Sequence, residues 1–103
     1  MSLLKINIIN DNNNYVIAFE GKLDTLNSVD AMRELRKYND LDEFDITIDC
    51  SRLEYVSSSG LRIFLTLLKK ARMKGHMVTI SNANKYLIQV FDDAGFTRLF
   101  TMK

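Results

Sequence analysis

A chain of 103 residues, 47% hydrophobic and 26% charged, has material for one domain with a modest core and none for a second. It has no Pro and only four Gly, which excludes collagen-like, linker-like and Pro-rich disordered chains. One His and one Cys allow no internal disulfide and leave very little for a zinc site, while a net charge of +1 gives no global attraction to nucleic acid. No apolar run approaches the ~20 residues of a membrane helix. Residues 1–9 lack the long apolar core and cleavage site of a signal peptide. A cytoplasmic chain is therefore expected, and a single unpaired Cys50 fits a reducing compartment.

Leu4, Ile6 and Ile8 alternate with Lys5 and Asn7, the period of a strand. The run NDNNN at 10–14 predicts a turn, because Asn and Asp tolerate left-handed backbone and bond to their own neighbours. Tyr15, Ile17 and Phe19, alternating with Val16 and Ala18, predict a second strand covered on both faces and ended by Gly21. Leu26, Val29, Met32 (or the aliphatic stem of Arg33) and Leu35 then recur at helical spacing, with Thr25 or Asn27 as the N-cap. An acidic connection over 39–45 leads to a short strand that places Ile46, Ile48 and Cys50 on one side and ends near Cys50.

The longest helix is predicted from Ser58 or Ser59 to about Lys74. Leu61, Phe64, Leu65, Leu68 and Ala71 form its apolar stripe, and Gly75 stands at the C-cap. Met77, Val78 and Ile80 predict a strand and Asn82 to Asn84 a turn. Tyr86, Leu87, Val90 and Phe91 predict a shorter helix stopping at Gly95, and Phe96–Phe100 a last apolar strand. The order β-β-α-β-α-β-α-β is an α/β domain with a mixed sheet: an antiparallel hairpin followed by right-handed βαβ crossovers.

Charge is unevenly spread. Residues 1–54 hold eleven acids and six bases, whereas residues 55–91 hold six bases and no acid. Such a segment is either a solvated helix face or a docking surface for an acidic partner. On the long helix, Ile63 and Leu67 stand i, i+4 apart outside the main stripe, beside Arg62, Lys70 and Lys74. Either the connection after the first helix covers them, or they are apolar anchors for a partner within a basic rim.

The chemically informative stretch is 48–75, where a strand runs into three serines and a glycine that open the long helix. One Ser at a helix start has a plain structural task, accepting a bond from an unpaired amide. Three exceed that need, and Gly60 lets the first turn be approached closely. Asp24, just after a strand and before a helix, is either a cap or a residue at the strand ends where βαβ folds place ligands and partners. Asp49 reads as a solvent-facing strand residue.

Leu53-Glu54-Tyr55-Val56, then Ser57-Ser58-Ser59-Gly60-Leu61, then a helix ending at Lys74-Gly75, resembles the STAS domain. The likeness is strongest to the bacterial anti-sigma factor antagonists. Gly21-Lys22-Leu23-Asp24 matches that family's G-x-L-D signature, and Val78–Ser81, Asn82 and the C-terminal FDDAGFTRLF extend the likeness over nearly the whole chain, residues 1–103. The family's loop usually reads Asp-Ser-Ser-Gly or Asp-Thr-Ser-Gly, with the residue after Asp phosphorylated.

Matching on Gly60, the resemblance implies Ser58 as the phosphoacceptor, with Ser57 in the aspartate's place. It also implies a partner surface of Asp24 and the serine loop, Ser57, Ser58, Ser59 and Gly60, to which the residue pattern adds Arg62, Ile63 and Leu67. The implied partners are an ATP-dependent anti-sigma serine kinase, bound in the unphosphorylated state so that a sigma factor is freed, and a metal-dependent serine phosphatase. No cofactor, direct nucleic-acid contact or membrane contact is implied.

Rival chemistry finds little support in the chain. A hydrolase built on Ser58 would need a base, but His76 follows the far end of the same helix, ~27 Å away at helical rise. There is no G-x-x-x-x-G-K-[ST] loop. Cys50 points with Ile46 and Ile48 toward the core and is unsuited to redox work. No enzyme is expected. A second role on the same fold, a non-phosphorylated scaffold in a stress-signalling complex, follows if Ser57 in place of Asp abolishes the phosphorylation cycle.

Overall fold

The computed structural model describes residues 4–103; residues 1–3, the head of the segment read above as lacking a signal sequence, lie outside it. β1 (Leu4–Asn10) and β2 (Asn14–Leu23) form the hairpin. Its turn places Asn12 and Asn13 at φ 50° and 65°, the left-handed backbone that Asn accepts with least strain. α1 (Thr25–Arg36) follows, then a 3-10 turn (Leu41–Glu43) inside the acidic connection. β3 (Asp45–Val56), α2 (Ser58–Met73), β4 (Val78–Ser81) and α3 (Lys85–Asp93) complete the crossovers. A second 3-10 turn (Phe96–Arg98) precedes β5 (Thr101–Met102).

The described residues form one five-stranded sheet in the order β1-β2-β3-β4-β5. β1 pairs antiparallel with β2, and every later pairing is parallel. The expected α/β order and mixed sheet are thus present. Tyr15, Ile17, Phe19 and Leu23 of β2, Ile46, Ile48 and Cys50 of β3, and Val78 and Ile80 of β4 are buried together with residues of α2 and α3. The opposite register, including Val16, Ala18, Thr47 and Thr79, is only half-buried, so β2 is not fully covered on both faces. Phe19, Phe64, Phe91, Phe96 and Phe100 stack in sequence with ring centroids 4.9 to 5.9 Å apart, linking β2 through α2 and α3 to the C-terminal turn.

Several expectations need correction. β2 does not stop at Gly21 but passes through it at φ 102° and runs to Leu23, because glycine meets no Cβ penalty there. β3 is twelve residues long rather than ending near Cys50. Its pairing with β2 shifts register twice, between Ala18 and Glu20 and between Gly21 and Lys22. Each shift sets one extra β3 residue against β2, which changes the inward spacing from two to three, at Cys50, Leu53 and Val56. The segment Phe96–Phe100 is a 3-10 turn and bend that buries Phe96 and Phe100, and the strand itself is only Thr101–Met102.

The helix faces also differ from those expected. Ile63 and Leu67 are 3% and 6% exposed, so they are core residues and not partner anchors. α1 packs on α2, with Ser28, Ala31 and Leu35 as its buried residues, and Leu41 from the 3-10 turn closes the lower part. Leu26 and Val29, two members of the helical-spacing pattern of α1, are 84% and 62% exposed. On α2, Leu61 and Leu65 are half-buried while Ile63, Phe64, Leu67, Leu68 and Ala71 form the buried face.

Ile63→Ala should therefore cost about 2–5 kcal/mol, as buried aliphatic truncations do, whereas Leu26→Ala should stay within about 0.5 kcal/mol. Urea denaturation of the two variants measures both values. Equal, small losses would show Ile63 to be uncovered.

Candidate functional site

Two strand ends and two helix starts meet at one edge of the sheet. Leu23 and Val56 are register partners at the C-terminal ends of β2 and β3, and the Ser57 amide donates to the Leu23 carbonyl at 2.8 Å. The chain leaves β2 through Asp24 and β3 through Ser57, and each of these residues caps the helix that follows.

Asp24 is extended, and its Oδ1 accepts from the Asn27 amide at 2.8 Å. The cap of α1 is thus Asp24 rather than Thr25 or Asn27. Asn27 serves the same turn by donating from Nδ2 to the Lys22 carbonyl at 2.8 Å. Ser57 is also extended, at φ −85° and ψ 172°, and its Oγ accepts from the Gly60 amide at 3.2 Å. Its carbonyl accepts the first helical bond, from the Leu61 amide at 2.9 Å. α3 begins in the same manner after β4, where Asn84 accepts from the Leu87 amide at 2.8 Å. Three positive helix ends therefore lie on the side of the sheet where the parallel strands finish.

The three serines are not equivalent. Ser57 is buried and committed to the cap, Ser58 is exposed on the first turn, and Ser59 is half-buried. Gly60 is buried against the strand ends: a Cβ there would stand 2.7 Å from Val56 Cγ2 and 2.8 Å from Leu23 Cγ. Of the three side chains, only that of Ser57 is hydrogen-bonded within the loop, and Ser58 is the most exposed.

A shallow groove of about 340 Å³ runs from this point between α1 and α2, with Ser28 and Val29 on one side and Ser59, Arg62 and the edge of Ile63 on the other. The structure thus brings together Asp24, Ser57, Ser58, Ser59, Gly60 and Arg62, and separates them from Leu67, which lies lower on α2. Leu26 and Val29 were missed as surface residues. Their helical spacing matched a core stripe, and the competing small residues Ser28 and Ala31 carried no stronger signal.

Among the described residues no side chain is hydrogen-bonded to Ser58. His76 precedes β4 at the opposite end of the sheet, where its Nδ1 lies 3.2 Å from Asp45 Oδ1. The Met77 amide donates to the same oxygen at 2.9 Å, and these bonds hold the Asp45 carboxyl below its ordinary range. Asp49 is half-buried rather than simply solvent-facing. Burial pushes its pKa up, but hydrogen bonds from the Ser51 amide and Asn82 Nδ2 outweigh that and leave it lowered. Among the described residues no group of three or more His, Cys, Asp or Glu is placed to hold a metal.

Cys50 lies in the core, where burial and the neighbouring Asp49 charge push its thiol up to about 12. It should resist iodoacetamide in the native protein at neutral pH and react once the chain is unfolded, as mass spectrometry would register. The capping geometry gives a second expectation. Ser57→Ala should cost about 1 kcal/mol and Ser57→Asp very little, since both Ser and Asp are good caps. Gly60→Ala should cost about 1–3 kcal/mol through overpacking. Chemical denaturation of the three variants checks this order.

Residues 5–103 match the family described as STAS domain. BtrV of Bordetella bronchiseptica, assigned by its name to the anti-sigma factor antagonists, is 27% identical over 85 residues, which is 82% of this chain and 73% of BtrV. Among solved structures, the unphosphorylated form of the anti-sigma factor antagonist SpoIIAA superposes with a TM-score of 0.76. It is 16% identical, over 97% of this chain and 87% of that one. The phosphorylated form of the Bacillus cell fate determinant SpoIIAA gives a TM-score of 0.68 at 16% identity, over 97% and 90% of the two chains.

Proposed function

The chain belongs to the STAS domain family, and on that premise we propose that it is an anti-sigma factor antagonist whose partner choice is switched by phosphorylation of Ser58. The observation that carries this reading is the single exposed hydroxyl at the start of α2, flanked by the Ser57 cap and by Asp24. In the proposed cycle the unmodified domain binds an ATP-dependent anti-sigma serine kinase and so frees a sigma factor. A metal-dependent serine phosphatase resets it. The domain itself acts by binding in the cytoplasm and catalyses nothing.

The departure at Ser57 has a structural counterpart. In the family's usual loop an Asp stands there, and Asp and Ser cap helices about equally well. The substitution therefore keeps the fold and removes one negative charge beside the acceptor. That loss supports a second reading, a STAS scaffold that is not phosphorylated and acts in a stress-signalling or other partner-switching complex.

Phosphorylation would add about −1.5 to −2 charges. At the first turn of α2 this charge meets the positive helix end and Arg62, one turn along at i+4. Arg62 is exposed and has no carboxylate in ion-pair reach among the described residues. The fold therefore tolerates the phosphate, while a partner docked over Ser58, Asp24, Leu26 and Val29 meets a charge in a contact made for a hydroxyl.

Incubation with ATP and the cognate kinase should add one phosphate, mapped to Ser58 by tandem mass spectrometry and absent from Ser58→Ala. Ser58→Asp should weaken the kinase complex at least tenfold, and Arg62→Glu should act chiefly on the association rate and its salt dependence. Phosphate on Ser57 or Ser59 would overturn the assignment to Ser58, and no phosphate at all would favour the scaffold.

A further inference from the structure

A second cleft, of about 640 Å³, opens between the C-terminal halves of α1 and α2, within the size range of small-molecule sites. Its floor is apolar: Leu35, Leu41, Ile46 and Leu67 line it, with Met32 at one side. Its charged lining is three cations, Arg36 of α1 and Lys70 and Lys74 of α2, against one carboxylate, Asp42.

These cations are not equivalent. Lys74 is paired with Glu43 and lies 3.6 Å from Asp42, and the Glu43 hydrogen bond raises its pKa. Arg36 and Lys70 have no carboxylate within ion-pair distance among the described residues. Two unneutralised cations thus flank the mouth of an apolar cavity.

The cleft wall is built rather than incidental. Tyr15 donates its hydroxyl to Asp40 Oδ1 at 2.9 Å, and its ring meets those of Tyr38 and Phe44 edge-on at 6.3 and 5.3 Å. These contacts fix the segment 38–44 that forms one side, and the Lys74 pairs tie its lower end to α2.

We propose that this cleft binds a single-chain lipophilic carboxylate, its chain on the Leu35, Leu41, Ile46 and Leu67 floor and its carboxylate between Arg36 and Lys70. A neutral apolar ligand would leave both cations unused. A carboxylate gains charge-assisted hydrogen bonds from them while its chain leaves water. Lys70 lies twelve residues beyond Ser58 on α2, about 18 Å at helical rise, so the inference does not depend on the serine loop.

An amide NMR titration of the full chain with decanoate below its micellar concentration tests it. Saturable shifts are expected at Met32, Leu41, Thr66 and Lys70, and the Arg36→Glu/Lys70→Glu double variant should weaken binding at least tenfold. Both substitutions are on exposed helix positions, and circular dichroism checks that the fold is retained. 1-Decanol and decyltrimethylammonium should bind at least tenfold more weakly. Equal affinity for decanol, or an unchanged affinity in the double variant, would overturn the anionic assignment; no saturable shift with decanoate would overturn the site.

Discussion

The contact between the start of α2 and the ends of β2 and β3 governs the geometry of the functional edge. Gly60 lies so close to Val56 and Leu23 that a Cβ would have to displace one of them. The hydrogen bond from the Ser57 amide to the Leu23 carbonyl fastens the same point through the backbone. With the helix start pressed onto the strand ends, Phe64 reaches Phe19 and Phe91 in the core. The same approach brings the β2 exit, and with it Asp24, beside the serine loop.

That rigidity lets neighbouring serines do different work. Ser57 has its hydroxyl turned into the helix and completes the cap, whereas Ser58, one position on, has none of its side chain committed. A charge added at Ser58 is received by amide dipoles already aligned, so it changes the surface without loosening the structure.

The basic half of the chain divides on a similar principle. Arg72 donates from Nη2 to the Leu99 carbonyl at 2.7 Å, and Lys74 pairs with the 3-10 turn. These cations join the end of α2 to the rest of the fold. Arg62 and Lys70 remain exposed along the α1–α2 seam. The acid-free segment is thus not wholly a solvated face.

Order and type of the elements were determined by the sequence itself, because strand and helix periods are local and the turn residues that punctuate them act locally too. The serine loop was legible for the same reason: three serines and a glycine between a strand and an amphipathic run exceed what one cap requires. Which serine caps was not legible, since all three have the same propensity until the backbone fixes Ser57 in the extended region. The length of β3 was hidden by its register shifts, which break the alternation that marks a strand.

The helix faces were decided by tertiary structure alone. The apolar spacing of α1 runs through Leu26 and Val29, and α2 carries apolar residues beyond its main stripe, so periodicity alone does not show which face meets the other helix. In the fold Ser28, Ala31 and Leu35 of α1 are buried, as are Ile63 and Leu67 of α2. Leu26 and Val29 are left in solvent beside Asp24. Burial depends on what lies opposite, and one helix read alone does not contain its neighbour.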